Sequence, residues 1–117
     1  MARRGDELHN RYTGQSLRFL RTTADTGGEL VEVETTYRPG SAKPVEHFHP
    51  RQAEHFEVLE GTVRARVGGQ ERTLGLGDEL DVAPGTRHAM WNDGDVPARL
   101  SWQTRPALRT EAFFEAF

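Results

Sequence analysis

The sequence contains no cysteine. That excludes a disulfide framework as scaffold and thiolate chemistry as catalysis. Methionine, tryptophan and tyrosine occur only twice each, and hydrophobic residues make up 35% of the chain. No run approaches the roughly 18 apolar residues that a membrane-spanning helix needs, so no membrane partner is expected. Neither sign of charge dominates: 15 Lys and Arg stand against 18 Asp and Glu, for a net charge of -3. The clustered basic face that nucleic acid requires is therefore not expected either. Arg3 and Arg4 are followed by Gly5-Asp6-Glu7 rather than by an apolar stretch. A secretory or twin-arginine signal is not expected, and the cytoplasm is the expected location. Ser-His-Asp arrangements, phosphate-cradling glycine loops and nucleotide fingerprints are not found.

What is present is turn chemistry and alternation. The 117 residues include 12 glycines. A chain of this length suits one domain and buries roughly 65% of its unfolded surface. Val31, Val33, Thr35 and Tyr37 alternate with Glu32, Glu34 and Thr36, the period of a half-buried strand. Further strands are expected over 17–22, 54–60, 62–67, 71–74, 79–82, 88–91 and 98–104. Between them lie Ala24 to Gly28, Pro39-Gly40, Gly61, Gly68-Gly69, Gly75 to Asp78, Pro84-Gly85 and Asn92 to Asp95. Strands recurring roughly every 8 to 12 residues indicate an all-β sandwich or barrel. Residues 1–15 are polar, without apolar period, and read as an N-terminal arm; 16–106 form the barrel. Within 107–117 the pattern changes: Phe113, Phe114 and Phe117 share a helical face, with Thr110 as a cap. That face packs on the barrel or on a partner.

Histidine is concentrated between positions 47 and 88. In an extended chain, residues two apart share a face, so His47 and His49 point the same way and can chelate one ion. Read alone, the pair is equally two solvated imidazoles near a turn. Glu54 opens the next strand on the same side as Phe56 and Val58. A carboxylate among apolar neighbours is costly unless paired, and a cation removes that cost. His55 alternates outward, and neither His9 nor His55 is expected to bind an ion.

The longer pattern resembles the cupin superfamily, whose two motifs have the forms G-x5-H-x-H-x3,4-E-x6-G and G-x5-P-x-G-x2-H-x3-N. His47, His49, Glu54 and Gly61 hold the first spacing; Gly77, Gly85, His88 and Asn92 hold the second. Gly40 lies one residue too far from His47, and Ala83 stands at the proline position with Pro84 beside it. Neither departure removes a ligand type. The resemblance covers roughly residues 30–104. It implies a double-stranded β-helix, the jelly-roll or cupin barrel, with a short C-terminal helix outside it. It also implies one divalent metal held by His47, His49, Glu54 and His88, and a homodimer. Exposed strand edges need cover in any case.

Three imidazoles and one carboxylate suit a transition ion, Fe, Mn, Ni, Cu or Zn, rather than Ca or Mg. Phe56, Val58, Val82, Met90 and Trp102 are expected to face inward around it, with Tyr37 and Gln52 nearby. The resulting expectation is a small metalloenzyme, an oxidoreductase of dioxygenase type, with a small organic molecule as substrate. The alternative is a non-catalytic ligand-binding or sensing module. No dedicated acid or base is evident in the sequence, so catalytic residues beyond the metal ligands are not assigned.

Overall fold

A computed structural model describes residues 2–11 and 13–115, with Glu115 described by its backbone alone. In chain order the elements are β1 (Glu7–His9), β2 (Ser16–Arg21), α1 (Thr23–Thr26), β3 (Val31–Tyr37), β4 (Ala53–Glu60) and β5 (Val63–Val67). They continue with β6 (Gln70–Leu74), β7 (Glu79–Val82), β8 (His88–Trp91), β9 (Ala98–Arg105) and α2 (Thr110–Glu115). Two antiparallel sheets result. One has the order β1-β2-β3-β9-β4-β7 and the other β6-β5-β8. This is the all-β, jelly-roll architecture expected, with a short C-terminal helix.

Alternation decides which side chains enter the core. In β4, Glu54, Phe56 and Val58 are buried while their neighbours are half-buried or exposed. In β3, Val31, Val33 and Thr35 are buried. Phe56, Val58, Val63, Leu74, Leu80, Val82, Met90 and Leu100 form the main cluster. A second cluster joins Leu17, Phe19, Val31 and Val33 to Ala107 and Phe114. Trp102 is partly buried and packs against both. The inward positions of Phe56, Val58, Val82 and Met90 agree with the alternation read from the sequence.

Four local features differ from the sequence reading. The polar stretch before residue 16 supplies a strand, β1, which pairs with β2 from Glu7↔Arg18 to His9↔Ser16. The turn at 24–28 contains one helical turn, α1. Thr22 caps it, Asp25 closes a capping box, and Gly27 ends it in the left-handed conformation. In α2, Thr110 is the first helical residue rather than the cap, and its hydroxyl accepts from Gln52 Nε2 at 2.8 Å. Phe113 and Phe114 also part company. Phe114 packs against Phe19 and Trp102, whereas Phe113 is exposed. Adjacent helical residues point about 100° apart, so the two cannot both face one core. Phe117 lies outside the described residues.

Gly61 closes β4 at φ 74, where a Cβ would lie 2.5 Å from the Pro97 carbonyl oxygen and 3.0 Å from the Ala98 Cα. Gly69 also has positive φ but open space around it. Gly61→Ala should therefore cost roughly 2–4 kcal/mol, against about 1 kcal/mol for Gly69→Ala. Urea denaturation of both variants measures the difference; equal losses would show that backbone crowding at Gly61 is relieved without consequence.

Candidate metal centre

Glu54 enters the interior because β4 is paired on both sides. It sits opposite Val82 of β7 and Thr104 of β9. Its side chain is buried, at 2% exposure for the residue. Oε2 accepts the indole N–H of Trp102 at 2.5 Å. Oε1 has no hydrogen-bond partner, although His88 Nε2 lies 2.8 Å away and His49 Nε2 3.4 Å away.

The histidines come from two other segments. His88 opens β8, and its Nδ1 lies 3.0 Å from the Thr86 carbonyl oxygen. A carbonyl only accepts, so Nδ1 carries a hydrogen, and Nε2 faces Glu54 with a proton or, once that proton leaves, with a lone pair. His47 lies in the loop before β4 and pairs with His88 through reciprocal backbone bonds of 3.0 and 2.8 Å. The loop thereby extends the smaller sheet past β8. His49 continues on the same side, its carbonyl held by the Gly85 N–H at 2.8 Å. Phe48, between them, turns outward beneath the Arg87 guanidinium.

The structure thus brings His47, His49, Glu54 and His88 together, with one donor atom from each lying within 4.8 Å of the others. His55 turns to the other face of β4, where Asp81 and Glu79 meet its ring at 2.7 and 3.1 Å. His9 is exposed on β1.

The donor set fits a transition ion. Around an ion with bonds of about 2.1 Å, neighbouring donors lie roughly 3 Å apart and opposite ones about 4.2 Å. A buried carboxylate oxygen without a hydrogen bond, facing imidazole lone pairs, needs a positive charge between them. Protons supply part of it in the ion-free site. Burial disfavours ionisation of Glu54, but the His88 and His49 rings and the Trp102 indole outweigh it and hold the carboxyl below its usual range. Burial likewise opposes protonation of His88, yet Glu54 and the Thr86 carbonyl raise its pKa. Burial and the two neighbouring rings lower that of His47.

His47, His49 and Glu54 line a cavity of about 580 Å³ on the α2 side, with Trp102, Thr104 and Phe114 among its walls. A second hollow of about 240 Å³ reaches His88 past Tyr37 and Met90. His47, Trp102 and Gln15 line both. Gln15 was not legible as a site residue: it precedes the first periodic strand and reaches the site only because β2 pairs with β3, where its amide donates to Thr35 Oγ1 at 2.9 Å. Gln52, expected near the ligand loop, donates to the Pro106 and Ala107 carbonyls and to Thr110.

Residues 33–104 match the cupin domain family. The chain belongs to that family. Among its relatives is the tetracenomycin polyketide synthase protein TcmJ of Streptomyces glaucescens, 36% identical over 96 residues, or 80% of this chain and 62% of that protein. Quercetin 2,3-dioxygenase of Bacillus subtilis is 32% identical over 85 residues, covering 73% of this chain and 23% of that one. The cupin chain thus spans less than two thirds of either relative. Among solved structures, an RmlC-like cupin from Shewanella frigidimarina superposes with a TM-score of 0.73 at 22% identity, covering 88% of this chain and 86% of that one. That likeness establishes the shared fold.

Two outcomes are expected of this cupin. The first concerns the ligands: protein purified without an affinity tag should hold about one transition ion per chain, and His49→Ala should weaken its affinity by more than about 100-fold. Equal metal content in the wild type and in a His47→Ala/His49→Ala variant, by elemental analysis, would refute the assignment.

The second concerns pH. Protons compete for imidazole lone pairs whose ordinary pKa is about 6.5. Because the His88 pKa is raised, its proton persists to higher pH and must leave before an ion enters. Affinity should rise with pH through the imidazole range and fall below it; a flat affinity from about pH 8 to about pH 5 would contradict a three-histidine site.

Proposed function

We propose that this cupin is a metal-dependent oxidoreductase of dioxygenase type that acts on a small oxygen-bearing organic molecule. One observation carries the reading. His47, His49 and Glu54 line a largely apolar cavity of roughly 580 Å³, and His88 completes their cluster from a second, smaller hollow, the combination expected of a small-molecule site. The names of the two relatives point the same way, one a polyketide synthase protein and the other a dioxygenase.

His47, His49, Glu54 and His88 would hold the ion. When bound, it supplies Lewis acidity and a common point of attachment for the reactants. The chain's own residues prepare that point. Trp102 fixes Glu54 through Oε2, which leaves Oε1 directed at the imidazoles. The Thr86 carbonyl fixes the His88 tautomer and leaves Nε2 free to coordinate. Tyr37 keeps its proton: burial and the nearby Glu54 carboxylate push its pKa well up, and Gln15 offsets this only in part. It therefore faces the inner hollow as a neutral hydroxyl. Trp102 and Phe114 give the cavity an apolar wall beside the candidate ligands.

Loading the protein in turn with Fe²⁺, Mn²⁺, Ni²⁺, Cu²⁺ and Zn²⁺, and following oxygen uptake with flavonols, diketones, small phenols and hydroxy acids, tests the proposal. Oxygen consumption that depends on both metal and substrate, and is lost in His49→Ala, is the expected result. Silence with every metal, with calorimetric binding of one compound retained, would instead identify a non-catalytic binding module.

A further inference from the structure

The cavity above the metal centre has features that the ligand set does not use. A file of aromatic rings runs from the barrel core to its mouth. Phe56 stacks on Trp102 at 5.4 Å, Trp102 meets Phe114 edge-on at 5.0 Å, and Phe114 meets Phe113 at 6.0 Å. The last ring lines the cavity yet is 68% exposed. Leu108, on the same rim, is 55% exposed and held at φ 47. Non-glycine residues seldom adopt that conformation, and it concentrates at ligand clamps. Arg109 lines the cavity between them and has no ion pair among the described residues.

Two apolar side chains in water beside a guanidinium with no ion pair among the described residues describe a surface with two requirements. The rings need a flat apolar partner, since aromatic faces gain most from offset or edge contact with another ring. The guanidinium needs an anion, and its planar fork matches a carboxylate. Arg109 belongs to the tail segment of the lining, apart from His47, His49 and Glu54, so an anion that it takes lies away from the metal centre.

We propose that segment 107–114 is the recognition wall for a flat aromatic ligand with a carboxylate at the end remote from the metal centre, and that Arg109 selects the anion. The inference rests on the metal-centre reading for the opposite end of the ligand, where an oxygen meets the histidine and glutamate cluster. Phe113 and Trp102 flank the rings, and Leu108 closes the rim. Gln52 holds the wall in place through the Pro106 and Ala107 carbonyls.

The probes are 6-hydroxy-2-naphthoate, with hydroxyl and carboxylate at opposite ends, and its uncharged carboxamide. Calorimetry on the metal-loaded protein should show the acid binding about tenfold or more tightly than the amide. Arg109→Gln should bring that ratio close to one, and Arg109→Lys should restore part of it. Phe113→Ala should weaken both probes alike. Equal binding of acid and amide to the wild type, or of neither below about 1 mM, would overturn the inference. So would sedimentation showing that Phe113→Ala splits a dimer without changing either affinity, since a second copy would then be the occupant. Chelator-stripped protein separates the two readings. Acid preference that survives stripping, with both affinities unchanged, supports the wall and removes the metal from ligand binding. One bound ion per chain with no acid preference removes the wall and leaves the metal centre standing.

Discussion

A carboxylate buried in an apolar sheet is the constraint around which this cupin is arranged. Left bare, Glu54 would cost several kcal/mol. The fold meets the problem from both sides: the Trp102 indole satisfies one oxygen, and imidazoles drawn from separate segments face the other. For Trp102 to reach Glu54, β9 must lie beside β4 in the observed register, with Phe56 opposite Trp102. That same indole packs against both hydrophobic clusters. The polar requirement of one side chain is thus met by the residue that joins the two parts of the core.

The four proposed ligands also link the sheets. Glu54 belongs to the larger one, whereas His88 belongs to the smaller one and His47 extends it. An ion held by all four residues ties the two layers across the barrel mouth, so its binding free energy adds to the free energy of folding. Without an ion, His88 Nε2 and Glu54 Oε1 still meet across the same gap at 2.8 Å. The cluster is coherent in either state, and the scaffold is organised before the ion arrives.

Much of this arrangement was legible in the sequence because it depends on local periodicity. Two-residue spacing places His47 and His49 on one side, and alternation in β4 sends Glu54 inward with Phe56 and Val58 while turning His55 out. Asn92 read as a turn residue. It is buried, and its side chain secures the turn through the Val96 carbonyl at 2.8 Å and the Gly94 N–H at 3.0 Å. What escaped the sequence depends on contacts between distant segments. The Trp102–Glu54 bond spans 48 positions, and Gln15 reaches the site through strand pairing. The β1 strand is too short to show a period. The capping box at Thr22 and Asp25 was written in the sequence, but it is hidden within a glycine-rich turn. The parting of Phe113 from Phe114 follows from helical geometry once Phe114 is committed to the core.

Gln52 stands between two proposed ligands, His49 and Glu54, and its amide grips three acceptors at the far end of the chain. Floor and rim of the cavity are therefore one mechanical body. A displacement at Pro106 or Ala107 is felt by the Gln52 amide, two residues from Glu54, which divides its two hydrogens among three oxygens. Coordination geometry in this barrel is consequently open to adjustment from outside it. Substitutions in the tail would then shift the four proposed ligands without replacing any of them.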